Sequence, residues 1–87
     1  MSKLYYTTVK LPRVIERLEK AGFNVTESVK QPATENSAVY AIVAPLGGEI
    51  GLFWAEGRAP LFMFQRDDDD TETVFQMFNL RRAQRFG

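Results

Sequence analysis

Hydrophobic residues recur at helical spacing in one segment near the amino terminus. The apolar positions follow an i, i+3, i+4, i+7, i+10 pattern and consist of Leu11, Val14, Ile15, Leu18 and Ala21. Such spacing places them on one stripe of a helix, with charged residues facing away. Pro12 is tolerated in a first helical turn, and Gly22 suits the left-handed position after a last turn. The pattern predicts a helix over Pro12–Ala21, with Phe23 folding back on Leu18 in a Schellman arrangement.

Short runs of β-branched, aromatic and aliphatic residues predict strands in most of the remaining chain. The predicted strands are Leu4–Val9, Phe23–Val29, Ala38–Ala44, Glu49–Glu56 and Pro60–Gln65. The last three are joined by connections of hairpin length, at Pro45–Gly48 and Gly57–Arg58, which indicates an antiparallel meander. The polar segment Lys30–Ser37 contains a proline and predicts a loop.

A second helix is predicted after four consecutive aspartates at 67–70. Asp69 and Glu72 have the D-x-x-E spacing of a capping box, which places a helix start at this point. Apolar residues at 74, 75 and 78 then supply one helical face. We therefore predict a helix over Asp70–Gln84.

The predicted order of elements is strand, helix, four strands, helix. This order indicates one α+β domain over residues 1–87, with a single antiparallel sheet of four to five strands and both helices on one face. In this order the chain resembles one half of the TATA-binding-protein type of fold. The inner helix, three strands and helix are similar to a double-stranded-RNA-binding domain. In that family the start of the last helix is basic and grips phosphate, whereas the aspartates at 67–70 stand here, so we do not expect RNA binding of that kind.

Both faces of the predicted central strands are apolar, although two helices can cover only one of them. An antiparallel sheet with a solvated face normally shows polar residues at alternate positions. We therefore expect an uncovered apolar face that binds a partner, because large exposed apolar patches mark interaction sites. The expected anchors are Tyr40, Ile42, Phe53, Phe62 and Phe64. Alternatively, a strongly curled sheet could be covered by the loop at 30–37 or by the amino terminus.

Composition limits the chemistry that the 87 residues can perform. With no histidine and no cysteine, the chain lacks the residues for a Ser-His-Asp triad, a zinc site of the usual ligands or a disulfide. We therefore expect no enzyme activity, no metal and no cofactor. Trp54 and Tyr40 could stack on a small ligand, although such residues are more often used in core packing.

Eleven basic and eleven acidic residues balance to zero net charge, yet the charges are segregated. Residues 1–30 carry six basic and three acidic side chains, residues 31–72 two and eight, and residues 73–87 three and none. The neutral total argues against a general nucleic-acid binder. Separated lobes of opposite sign favour docking on a partner of mixed charge or on a second copy.

The most concentrated charge belongs to Asp67, Asp68, Asp69 and Asp70. Three interpretations are open: a magnesium or calcium site, a mimic of nucleic-acid phosphates, or acidic residues that stabilise a helix amino terminus. Consecutive carboxylates diverge along the backbone, so the third interpretation is favoured over the first.

Together these patterns predict a small non-enzymatic protein-binding module of the inhibitor, adaptor or virus-encoded modulator type. Its partner would be another protein or a second copy, held by the apolar anchors and oriented by the four aspartates as an acidic ridge. The alternative is a nucleic-acid-binding module that uses the aromatic sheet face and clusters of arginine and lysine, with Arg13, Arg17, Arg81, Arg82 and Arg85 as its site residues. No apolar run approaches the roughly 20 residues of a membrane helix, and the lack of cysteine fits a cytoplasmic location.

Overall fold

The molecule has two helices and six strands within residues 3–30, 33–64 and 69–83, which a computed structural model of the chain describes. In chain order the elements are β1 (Lys3–Tyr6), α1 (Leu11–Lys20), β2 (Asn24–Glu27), β3 (Ser37–Val43), β4 (Glu49–Ala55), β5 (Leu61–Phe64), α2 (Asp69–Phe78) and β6 (Arg81–Arg82). The predicted α+β class is confirmed. The sheet has one strand more than the four to five predicted.

All strands belong to one antiparallel sheet in the order β2-β3-β4-β5-β1-β6. Strands β2 to β5 form a meander, of which the short connections predict the part from β3 to β5. Strand β1 pairs with β5 at the far side of this meander. The chain must therefore cross the sheet between β1 and β2, and α1 makes that crossing.

Both helices pack on the same face of the sheet, as predicted. One buried cluster joins Val14 and Leu18 of α1, Val74 and Phe78 of α2, and Ile42, Leu52 and Phe62 of the sheet. The ring of Phe62 stacks on that of Phe78, with centroids 5.4 Å apart. Full burial of one such side chain contributes about 2 kcal/mol, so this cluster holds the helices on the sheet. We call this side of the sheet the covered face.

Helix α1 ends in the predicted Schellman arrangement. Gly22 has φ +93°, and the N–H of Phe23 donates to the carbonyl oxygen of Leu18 at 3.0 Å. The N–H of Gly22 donates to the carbonyl oxygen of Glu19 at 3.1 Å. These bonds use carbonyl groups that the helix itself leaves unpaired, and Phe23 is thereby brought into the core.

The carboxyl-terminal helix is shorter than predicted. It ends at Phe78 rather than at Gln84, which lies outside the described residues. Asn79 adopts a left-handed conformation with φ +51°, and the N–H of Leu80 donates to the carbonyl oxygen of Phe75 at 3.3 Å. Asparagine is the residue besides glycine that most readily takes this conformation. The chain then turns back as β6, which pairs with the free edge of β1.

Candidate functional site

The face of the sheet opposite the helices carries two transverse rows of residues, which the strand register defines. The first row is Thr26, Ala41, Gly51, Met63 and Leu4, and the second is Val39, Phe53, Leu61, Tyr6 and Arg81. We call these ten residues the open face. Nine of the ten carry no formal charge. The larger apolar side chains among them are half-buried.

The centre of the open face is flat because Gly51 has no side chain. A Cβ atom at Gly51 would lie 3.3 Å from Cε2 of Phe53 and 3.5 Å from Cε of Met63. The Phe53 ring and the Met63 side chain therefore lie over the Gly51 backbone rather than standing away from the sheet. Its neighbour Ala41 is also small. The result is an apolar surface of low relief, which another flat apolar surface can pack against.

The expectation that five aromatic and aliphatic anchors share an uncovered face is wrong for most of them. Ile42 and Phe62 are completely buried, and Phe64 is only 4% exposed. All three lie in the core beneath the helices. Tyr40 also belongs to the covered face and is half-buried. Of the five, Phe53 alone lies on the open face.

The reason for this error is that alternation along one strand does not show which of its two sets of side chains lies on the same face as a given set on the next strand. The register pairs Val39 with Phe53 and Phe53 with Leu61. Side-chain size carries the missing signal, because the space between sheet and helices must be filled at high packing density. On β5, for example, the two phenylalanines face the core, whereas Leu61 and Met63 face outward. On β3, β4 and β5, assigning the bulkier alternate set of each strand to the core identifies the open face correctly.

Asp70 has a structural partner that its position in the sequence does not suggest. It is only 6% exposed, and its Oδ2 accepts a hydrogen bond from the N–H of Leu46 at 3.1 Å. This bond fastens the start of α2 to the turn between β3 and β4. Asp69 is exposed in the first helical turn, where a negative side chain interacts favourably with the positive end of the helix dipole.

The predicted acidic ridge does not border the open face in the described part of the chain. Asp69 and Asp70 lie on α2 and so on the covered side, while Asp67 and Asp68 fall outside the described residues. Asp69 is itself the first residue of α2, so it does not occupy the position before the helix that the predicted capping box requires. Residues 3–30, 33–64 and 69–83 contain no group of three acidic side chains placed to hold a metal ion.

The arginines of the alternative nucleic-acid interpretation do not converge on the open face. Arg13 and Arg17 are exposed on α1, which lies on the covered side. Arg81 and Arg82 are exposed on β6 at the edge of the sheet, where Arg81 belongs to the open face and Arg82 to the opposite one. Arg85 is outside the described residues. Only one described arginine of this set therefore borders the apolar rows.

Neither described helix, each of 10 residues, has the length or apolar character needed to cross a lipid bilayer. Compared with protein-family models, with curated protein sequences and with solved structures, the chain shows no significant match.

Proposed function

We propose that the chain is a non-enzymatic protein-binding module whose open face packs on the open face of a second copy. The observation that carries this proposal is the pair of transverse rows centred on Phe53, Leu61 and Met63, in which Arg81 is the only charged residue. In a solvated antiparallel sheet these positions are normally polar. A contiguous apolar patch of this kind is typical of an interaction surface.

The dimensions of the open face favour a second copy as the occupant. Six strands span roughly 24 Å across the sheet, and the seven residues of β3 or β4 span about as much along it. A square of this size covers about 550 Å², an upper bound because the other four strands have only two to four residues, and an interface of standard size buries ~800 Å² on each partner. A second copy offers a face of the same size and the same apolar character, so one contact would cover the whole patch on both chains.

The charges at the margins are compatible with this pairing. Arg81 lies at the β6 edge, and Glu49 lies on the same side of the sheet at the start of β4. In a two-fold interface every contact between two different residues occurs twice, because the two chains are equivalent. A two-fold axis oblique to the strands would set Arg81 of each chain near Glu49 of the other. Such exposed pairs add little energy but favour one orientation.

The proposal is tested by the mass of the protein in solution. We expect the wild type at micromolar concentration to sediment at twice the chain mass of 9.9 kDa. Phe53→Asp places a charge in the centre of the patch and should raise the dissociation constant about thirtyfold or more. Met63→Lys should act in the same direction. The matched control is Val29→Asp, since Val29 is 92% exposed in the loop after β2 and is outside the two rows of the open face.

Folding of each variant is checked by circular dichroism before sedimentation. A strictly monomeric wild type would overturn the dimer. So would folded Phe53→Asp and Met63→Lys proteins that remain as dimeric as Val29→Asp. The cytoplasmic location expected from the absence of cysteine stays a part of the proposal.

A further inference from the structure

A cleft of about 520 Å³ lies at the end of the sheet where β1 leads into α1. Residues 8–12 form one wall, and Trp54 with the turn at 58–60 forms the other. Ligand sites in proteins commonly have volumes of roughly 300 to 1,000 Å³. The cleft is therefore large enough for a small organic molecule.

The interior of the cleft is mainly apolar and contains the only tryptophan of the chain. Its apolar lining consists of Val9, Leu11, Pro12, Trp54, Ala59 and Pro60. Trp54 lies on the covered face near the end of β4, and it is half-buried. Part of its indole ring therefore faces the cleft, where a flat ring can stack on it.

The rim of the cleft is cationic. Lys10 and Arg58 line the cleft itself, and Arg13 and Arg17 line a groove that continues from it along α1. No acidic residue lines either space. Arg13 meets Glu16 at 4.0 Å, whereas Lys10 and Arg58 have no ion pair with any other described residue. Clustered charges of one sign at a concave site raise the local concentration of the opposite ion.

We propose that this cleft binds a nucleotide, with the base stacked on Trp54 and the phosphate held by Lys10 and Arg58. A simple inorganic anion would make no use of the indole. An apolar ligand would remove water from two cations without pairing them, which is costly. A molecule with a planar ring and an anionic group satisfies both parts of the site. The first turn of α1 contains no acidic residue and no side-chain cap, so nothing there opposes a bound anion.

The site is independent of the proposed dimer. The cleft opens on the covered side of the sheet, whereas Phe53 lies on the open face. Phe53→Asp should therefore abolish dimerisation and leave nucleotide binding unchanged. Failure of one proposal does not imply failure of the other.

Trp54 also supplies the assay, because its fluorescence is the only tryptophan signal of the protein. The probes are adenosine 5′-monophosphate, adenosine and inorganic phosphate. We expect the monophosphate to quench Trp54 in a saturable way at micromolar to millimolar concentration. Adenosine and phosphate should each bind at least tenfold more weakly, since each engages only half of the site.

Substitutions assign the two halves of the ligand to the two halves of the cleft. Arg58→Gln should weaken monophosphate binding about tenfold and leave adenosine binding unchanged. Lys20→Gln is the matched control, because it removes the same charge from the far end of α1. It should change the affinity less than twofold. Trp54→Leu should weaken the binding of both the monophosphate and adenosine about tenfold. Binding to this variant is measured by calorimetry because it has no tryptophan.

Three results would each overturn the site: no saturation in the millimolar range, phosphate binding as tight as monophosphate binding, or equal weakening by Arg58→Gln and Lys20→Gln. Competition with a single-stranded oligonucleotide distinguishes a free nucleotide from a nucleotide within a strand as the ligand. Tighter binding of the oligonucleotide would support the site with a strand as its ligand. Affinity no better than that of the monophosphate would support it with the free nucleotide.

Discussion

Replacement of Thr7 tests the junction that holds the two ends of the fold together. Thr7 follows β1 and is 1% exposed. Its hydroxyl donates to the carbonyl oxygen of Phe78 at 3.1 Å, at the end of α2. The Oγ1 atom of Thr7 also accepts a hydrogen bond from the N–H of Val9 at 3.1 Å, just before α1. One side chain thus joins a strand, the end of one helix and the approach to the other.

Thr7→Val keeps the shape of the side chain and removes both hydrogen bonds. The buried carbonyl oxygen of Phe78 costs about 1 to 3 kcal/mol when it is left unpaired, and the partly buried N–H of Val9 about 1 kcal/mol. We therefore expect a loss of about 2 to 4 kcal/mol in the free energy of unfolding. For a chain of this length, each kcal/mol lowers the melting temperature by about 4 to 8 °C.

Thr7→Ser is the matched control, because it keeps the hydroxyl and loses one methyl group. Its expected cost is about 1 kcal/mol. Urea denaturation monitored by circular dichroism gives both free energies, at one protein concentration because the proposed dimerisation would contribute to stability. If Thr7→Val were as stable as Thr7→Ser, the hydroxyl would not hold the junction and the reasoning would be refuted.

Substitutions at two further positions test the contacts at the start of α2 and at the end of α1. Asp70→Ala should cost about 1 to 2 kcal/mol, because the N–H of Leu46 loses its acceptor, and Asp70→Asn, which keeps an acceptor oxygen, should cost less; equal thermal stability of the two variants would contradict this. Gly22→Ala should cost about 1 to 2 kcal/mol, because φ +93° is unfavourable for a residue with a Cβ. A Cβ atom at position 22 would lie 3.7 Å from Cγ of Pro45, so the cost comes from the backbone conformation and not from a clash. Gly22→Asn should therefore destabilise the protein less than Gly22→Ala. An unaltered melting temperature for Gly22→Ala would show that the cap is not needed.

Local patterns in the sequence predicted the features whose causes are local. The apolar stripe, the proline and Gly22 lie within one short segment, so α1 and its Schellman end could be predicted from that segment alone. The meander from β3 to β5 was predictable because its two turns are short. The end of α2 was not, since Asn79 is a weaker stop signal than glycine and β6 depends on pairing with β1, more than 70 residues away in sequence.

The candidate site was harder to predict because it depends on relations between distant segments. Alternation separated the two faces of each strand, but the register across strands decided that Phe53 joins Val39 and Leu61 rather than Tyr40 and Phe62. The partner of Asp70 lies 24 residues away in a turn. The cleft beside Trp54 likewise needs the approach to α1 and the turn after β4 to meet, which no single segment encodes.

The most direct test of the proposed dimer is an isotope-filtered nuclear Overhauser experiment on a mixture of labelled and unlabelled chains. Met63 lies on the open face, whereas Met77 lies on α2 and packs against the core of the covered side. We predict intermolecular contacts from the Met63 methyl group to the Phe53 ring of the partner, and none from Met77. Intermolecular contacts at Met77, or none at Met63 in a protein of dimeric mass, would contradict the account.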